Sequence, residues 1–275
     1  EVPQVMASVD GQRIHVLHAR SRARDALPLV ITHGWPGSVA EFRHVIGPLV
    51  DPVMHGGKAE DAFHVVAPSL PGYGFSGPTT EPGWDIERSA RAVAQIMATL
   101  GYSRYGAQGG DWGSMLSRHL GRLDAAHVAG VHVNLMIGFP TGKPDDQGGI
   151  SDFERVLLAR TEEYMASGNG YVAVQSTRPL TLAYGLEDSP AALLAWIADK
   201  FWAWTDHDGD FLGAVGLEGV VAGADVIPPL VVNPGTRVNE GDGLIPADRF
   251  PAATDEGFLD PVVVGAPHEI RRVGK

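Results

Sequence analysis

The run Gly109-Gly110-Asp111-Trp112-Gly113 sets a carboxylate between glycines at what reads as a tight strand-to-helix turn. Such a nucleophile elbow requires glycine on either side of the reactive residue, because a Cβ there collides with the turn. Gly109 and Gly113 meet that demand. The usual occupant of an elbow is serine, and aspartate in its place changes the chemistry to attack by a carboxylate oxygen. Residues 103–107 are strand-like and residues 112–123 read as a helix with Met115, Leu116 and Leu120 on one face. Asp111 is therefore expected at a helix N-terminus, where the macrodipole and the unpaired N–H groups favour its ionised form. The pentapeptide alone also fits a surface turn in which Asp111 caps a helix.

Upstream elements must position this carboxylate. Leu29-Val30-Ile31-Thr32 is an apolar, β-branched run suited to a buried strand, and it ends in His33-Gly34-Trp35-Pro36-Gly37-Ser38. A second such run, Phe63-His64-Val65-Val66-Ala67-Pro68, ends in the turn-rich Ser69-Leu70-Pro71-Gly72-Tyr73-Gly74-Phe75-Ser76. Strand, loop and helix repeat in order, which predicts an α/β-hydrolase fold with a mostly parallel sheet flanked by helices. In that fold the loop after the first of these strands supplies one oxyanion-hole N–H, and the residue after the nucleophile supplies the other. Trp35 and Trp112 are the expected donors, through their backbones. His33 lies upstream of the elbow and is expected to support the loop rather than to act as a base.

These segments, with Asp10-Gly11-Gln12-Arg13-Ile14-His15 before them and residues 170–204 after them, occur in the order found in one family. The chain resembles the microsomal-type epoxide hydrolases of the α/β-hydrolase superfamily from about Gln4 to about Phe211. The resemblance implies that the elbow aspartate attacks an epoxide carbon, that two lid tyrosines donate to the ring oxygen, and that a histidine backed by an acid activates water. It implies an inserted helical lid, an apolar epoxide and water as reactants, a vicinal diol as product, and no metal or organic cofactor. Tyr171, in Gly170-Tyr171-Val172-Ala173-Val174-Gln175, matches the first lid tyrosine, with Tyr184 as a lower-ranked competitor. A phenol suits the role because it stays protonated at neutral pH yet releases its proton as charge develops on the opening ring.

Three segments follow from this pattern. Residues 1–136 are expected to form the first half of the core, with a hairpin about Asp10-Gly11, a helix over 85–100 and a strand over 128–133. Residues 137–210 are expected to be the helical lid, with helices over 150–167 and 191–204, Ser189 as an N-cap and Pro190 at the first helical position. Residues 211–275 are expected to be an atypical or disrupted second half of the core. All six tyrosines and all six tryptophans precede Phe211, whereas the remainder holds ten glycines and seven prolines. That break fits either a shortened, diverged second half or a disrupted reading frame, and no second lid tyrosine is found. His268 is the only histidine beyond His207 and is the candidate general base, with Asp242 to orient it and Glu240 and Asp248 as alternatives.

Composition bounds the remaining choices. The chain has 275 residues, 44% of them hydrophobic, enough to bury a sizeable core. A formal net charge of −12 argues against nucleic acid or an anionic membrane as partner. There is no cysteine, so neither a disulfide framework nor a thiolate site is available, and a cytoplasmic location is expected. No apolar run approaches the ~18 residues of a membrane span. Glu1-Val2-Pro3 has neither an initiator methionine nor a signal pattern, so the N-terminus is expected to be cut and the family's N-terminal wrapping segment to be absent. A homodimer is compatible with this composition. Asp206, Asp208 and Asp210 share the alternate spacing of a calcium loop, but the glycine falls early at Gly209 and Leu217 stands at the twelfth position, which rejects the site. Two rivals to epoxide hydrolysis remain: a haloalkane dehalogenase-like hydrolase, which also uses an elbow aspartate, and an inactive truncated remnant.

Overall fold

The computed structural model describes residues 2–135 and 149–216, so the expected base His268 and its expected partner Asp242 lie outside the described residues. Residues 2–135 form one compact unit and residues 149–216 belong to a second. No helix among the described residues is long and apolar enough to cross a membrane.

The first unit is built on a six-stranded sheet in the order β1-β2-β4-β3-β5-β6. The strands are β1 (Gln4–Val9), β2 (Gln12–Ala19), β3 (Leu27–Thr32), β4 (Phe63–Pro68), β5 (Tyr105–Gly109) and β6 (Val128–Val133). β1 and β2 form the antiparallel hairpin about Asp10 and Gly11, where both residues take positive φ of 52° and 74°. β2 runs antiparallel to β4, and β4, β3, β5 and β6 run parallel to one another. Helix α1 (Ile46–Val50) follows β3, α2 (Ile86–Thr99) precedes β5, and α3 (Trp112–Leu123) joins β5 to β6.

Strand alternation decides which helix each side chain meets. Val30 and Val66 pack with Val93, Ile96 and Met97 of α2 and with Leu116 and Leu120 of α3. Their neighbours Leu29, Ile31, Val65 and Ala67 point the other way and pack with Val39, Phe42 and Ile46. Buried on both faces, these parallel strands read as continuous apolar runs rather than as an alternating pattern. α2 starts where Asp85 accepts from the Arg88 N–H at 2.8 Å, which leaves Asp85 as the cap of the expected helix rather than its first turn.

Two local expectations need correction. The elbow strand runs over Tyr105–Gly109 and not 103–107, because pairing with β3 carries it to the turn itself, with Thr32 opposite Gly109. The buried residues of α3 are Gly113, Ser114, Leu116, Ser117 and Leu120, and Met115 is turned away to a half-buried position. Small residues face β3 because the helix start lies against it.

The second unit consists of helices α4 (Asp152–Ser167), α5 (Gly170–Thr177), α6 (Pro179–Asp188), α7 (Pro190–Trp204) and α8 (Phe211–Val215). Ser151 and Glu154 close a reciprocal capping box at the start of α4. Ser189 accepts from the Ala192 N–H at 3.2 Å with Pro190 in the first turn of α7, as its sequence predicts. Arg178 and Pro179 divide α5 from α6. Among the described residues of this unit the buried apolar ones are Ala183, Leu186 and Ile197.

Leu116 is fully buried between the sheet and α2. Leu116→Ala is expected to destabilise the protein by about 3 kcal/mol, through lost transfer energy and the cavity left behind. Urea unfolding followed by tryptophan fluorescence measures this; an unchanged midpoint would show that the site collapses without cost.

Candidate active site

The elbow is defined by what cannot be there. A Cβ on Gly109 would overlap the Gly113 carbonyl, and one on Gly113 would overlap the carbonyl of Thr32. Gly110 meets only ordinary contacts, the nearest at 3.6 Å from Asn134, so its glycine is not sterically demanded. Asp111 sits at φ 52° and ψ −125°, a conformation that costs a non-glycine residue about 1–3 kcal/mol. Neighbours hold it there. The Ser114 N–H and hydroxyl donate to the Asp111 carbonyl at 3.0 and 2.8 Å, and the Thr32 hydroxyl lies 3.2 Å from the carbonyls of Gln108 and Gly113.

The loop after β3 comes up against this turn. A Cβ on Gly34 would overlap the Asp111 side chain, so glycine there admits the close approach. Beside it the Trp35 backbone N–H donates to Asp111 Oδ1 at 2.8 Å. Trp112, the other expected donor, is the first residue of α3.

His33 fixes the loop from beneath. The Leu70 N–H donates to His33 Nε2 at 3.1 Å, which leaves Nδ1 as the protonated nitrogen, donating to the Gly34 carbonyl at 2.9 Å. Burial pushes the imidazole down to about 4, against the Gly34 carbonyl, which favours the charged form. A neutral ring with both nitrogens engaged is a strut. Tyr73 meets it edge-on with ring centroids 5.3 Å apart, and burial together with the Asp111 charge raises the Tyr73 phenol above its ordinary range.

Sequence reasoning missed Glu41. This residue lies on the single turn Val39–Phe42 that follows the loop, with Ser38 as its cap. A Cβ on Gly37 would overlap Glu41 Oε1, so that glycine leaves room for the carboxyl group. Burial, then the Asp111 charge, raise Glu41 to about 7, and a backbone hydrogen bond from Ser38 opposes them. Ser38 followed three residues later by glutamate is a capping-box pattern, which disguises the residue as helix punctuation. Gln12 was also unremarked, yet its amide donates to the Ser76 carbonyl at 2.7 Å and accepts from the Thr80 N–H at 3.0 Å, anchoring the loop that carries Tyr73.

In the second unit Tyr171 lies in the first turn of α5, its hydroxyl 2.9 Å from that of Tyr164, one donating to the other. The Trp204 ring meets Tyr171 edge-on at 5.5 Å, and Lys200 Nζ stands 4.8 Å from the Tyr171 ring centroid. Neither Tyr164 nor Lys200 was singled out from the sequence. Only their spacing on α4 and α7 could have suggested them. Tyr184, the competitor, is 75% exposed.

Residues 28–153 match the alpha/beta hydrolase fold family, and residues 1–42 match the family described as epoxide hydrolase N terminus. The chain is 49% identical over 208 residues to a protein of Stigmatella aurantiaca named "Putative epoxide hydrolase", covering 76% of this chain and 47% of that one. The chain belongs to the epoxide hydrolase family of the α/β-hydrolase superfamily. Epoxide hydrolase 1 of Sus scrofa is 34% identical, over 78% of this chain and 51% of its own length. Among solved structures the Aspergillus niger epoxide hydrolase superposes with a TM-score of 0.62 at 34% identity, covering 84% of this chain and 59% of that one. This epoxide hydrolase family member thus spans about half the length of the curated relatives it matches. The match over residues 1–42 brings part of the family's N-terminal region into β1, β2 and β3.

Two predictions come from the site. Gly113→Ala is expected to yield insoluble or unfolded protein, because the added Cβ meets backbone rather than a movable side chain; a cooperative melt near the parent's would refute the packing argument. The second concerns pH. His33, lowered to about 4 from its ordinary 6.5, binds fewer protons folded than unfolded, so its contribution to stability falls as pH drops through 6.5. Glu41, raised to about 7 from 4.5, binds more protons folded, so its contribution falls as pH rises through the same interval. The two slopes oppose each other between roughly pH 4.5 and 6.5. Urea midpoints of Glu41→Gln protein are expected to fall more steeply on acidification than the parent's, and those of His33→Asn protein less steeply. Parallel profiles would show that neither group titrates differently on folding.

Proposed function

We propose that this protein hydrolyses epoxides to vicinal diols through an ester on Asp111. The observation that carries this reading is the Asp111 carboxylate held at a glycine-walled elbow with the Trp35 N–H on one oxygen. With Oδ1 so engaged, Oδ2 is the oxygen that attacks the less hindered epoxide carbon, opposite the breaking carbon–oxygen bond. In this reading the segment 137–210 serves as the lid, and the Tyr171 phenol supplies the proton the opening alkoxide needs. Lys200 over the Tyr171 ring favours the developing phenolate, and Tyr164 donates to it.

Water then adds to the carboxyl carbon of the ester, its proton taken by His268 with Asp242 or a neighbouring acid behind it. Charge develops on Oδ1, and the Trp35 and Trp112 N–H groups stabilise it, each such donor being worth about 3 kcal/mol in acyl-transfer precedents. The diol oxygen leaves with the proton. No step calls for a metal or organic cofactor. An apolar epoxide fits as substrate because the family names of the relatives concern epoxides.

The test is intact-protein mass spectrometry after incubation with styrene oxide, with diol detection and an Asp111→Asn control. Diol formation that disappears in the control supports the full reaction. A stable adduct that needs Asp111, without diol, supports the nucleophile and shows ester hydrolysis to be missing its base. Neither product from folded protein overturns the reading, and halide release from a haloalkane would then favour the dehalogenase chemistry. Tyr171→Phe is expected to slow ester formation roughly 100-fold, and Tyr164→Phe by less, seen in single-turnover quench experiments; equal rates for parent and Tyr171→Phe would remove the phenol from the mechanism.

A further inference from the structure

The end of α4 is shaped to bring two phenols together. Gly168 closes this helix, its N–H donating to the Tyr164 carbonyl at 2.7 Å, and a Cβ on Gly168 would overlap the Tyr164 ring. Glycine there lets the ring fold back across the helix end. Tyr171 follows in the first turn of α5, where its hydroxyl lies 2.9 Å from that of Tyr164 and its ring meets Trp204 of α7 edge-on. The contact therefore joins a side chain of one helix to a side chain of the next.

Tyr164 also lines a cleft of about 370 Å³ between α4 and α7, with the exposed Arg160, Glu163 and Asp199 on its walls. Among the described residues Tyr171 does not line it. Water in the cleft thus reaches Tyr171 by way of the Tyr164 hydroxyl. The Lys200 ammonium stands 4.8 Å from the Tyr171 ring centroid, but it is also 2.7 Å from Asp199 Oδ2, so its attraction for charge on the phenol is divided with a carboxylate. A neighbouring hydroxyl can neutralise a phenolate outright, which an ammonium over the ring face does not.

A phenol has one proton, so Tyr171 donates either to a ring oxygen or to Tyr164. While it faces the ring oxygen, the 2.9 Å contact must run from Tyr164 to Tyr171. We propose that Tyr164 is a positioning residue for Tyr171, turning its proton toward the ring oxygen and replacing that proton from the cleft as it leaves. The proposal rests on the reading of Asp111 as nucleophile and Tyr171 as acid. In ester formation an Asp111 oxygen bonds to the epoxide carbon, and the ring carbon–oxygen bond breaks with its electron pair on oxygen. That oxygen takes the Tyr171 proton, Tyr171 takes the Tyr164 proton, and Tyr164 takes one from cleft water, whose hydroxide the bulk buffer neutralises. Ester hydrolysis returns one proton to solvent as the Asp111 carboxylate re-forms, so the cycle consumes only epoxide and water.

Tyr164→Phe keeps the ring against Gly168 and deletes only the hydroxyl, which makes it the test variant. Without substrate, carbon NMR of protein carrying tyrosine 13C-labelled at Cζ reads the contact, the Tyr171 signal being the one lost in Tyr171→Phe. That signal is expected to move in Tyr164→Phe protein; a signal that stays overturns the proposal. With styrene oxide, single-turnover ester formation is followed in mixtures of light and heavy water. The parent rate is expected to fall with deuterium along a curve that requires two protons in motion. Tyr164→Phe is expected to give a straight line, one proton in motion, at a rate roughly tenfold lower. A hydroxyl with a merely structural role would change the rate and leave the shape of that dependence alone. If ester forms and the two shapes agree, the relay fails alone and Asp111 remains the nucleophile. If folded parent protein forms no ester, the epoxide reading fails and the relay fails with it.

Discussion

The close passage of three backbones around Asp111 constrains everything else in the first unit. β3 and its loop, the end of β5 and the first turn of α3 meet where Gly34, Gly109 and Gly113 lack side chains, and a methyl group at any of the three would overlap a neighbouring atom. Asp111 can hold its positive φ only because this packing is over-determined by the Thr32 and Ser114 hydrogen bonds. The parallel pairing of β3 with β5 puts Thr32 opposite Gly109, and the buried faces of Leu29, Val30 and Ile31 hold that register from both sides of the sheet. A slip of one residue would reverse every one of those side chains.

Once this contact is made, the electrostatics of the site follow from it. The loop that touches Asp111 must present an N–H, so its backbone is oriented by His33, which bridges it to Leu70 as a neutral ring. A charged imidazole there would leave the Leu70 N–H without an acceptor. Gly37 leaves room on the same loop for the Glu41 carboxyl, which burial first and the Asp111 charge second raise to about 7.

The second unit follows a different logic. Few of its described residues are fully buried, and its fixed point is a polar and aromatic cluster of Tyr164, Tyr171, Lys200 and Trp204 drawn from three helices. Capping holds its helix starts, through Ser151 with Glu154 and through Ser189 with Pro190. The Tyr171 phenol is supported by contacts within this unit.

Local patterns in the sequence determined the elbow, the strands on either side of it and the Ser189 cap. In each case the physical requirement is satisfied by residues adjacent in the chain: a glycine beside a turn, an apolar run, a hydroxyl before a helix. Tertiary structure alone decided the strand order, the extension of β5 to Gly109, and the displacement of Met115 from the buried face of α3. It alone buried the Glu41 carboxyl and set it within reach of the charge on Asp111, which lies far along the chain. Tyr164 and Lys200 likewise became partners of Tyr171 only when α4, α5 and α7 came together. Short-range sterics and capping are encoded by neighbours, whereas electrostatic coupling and packing depend on distances that exist only after the chain has folded.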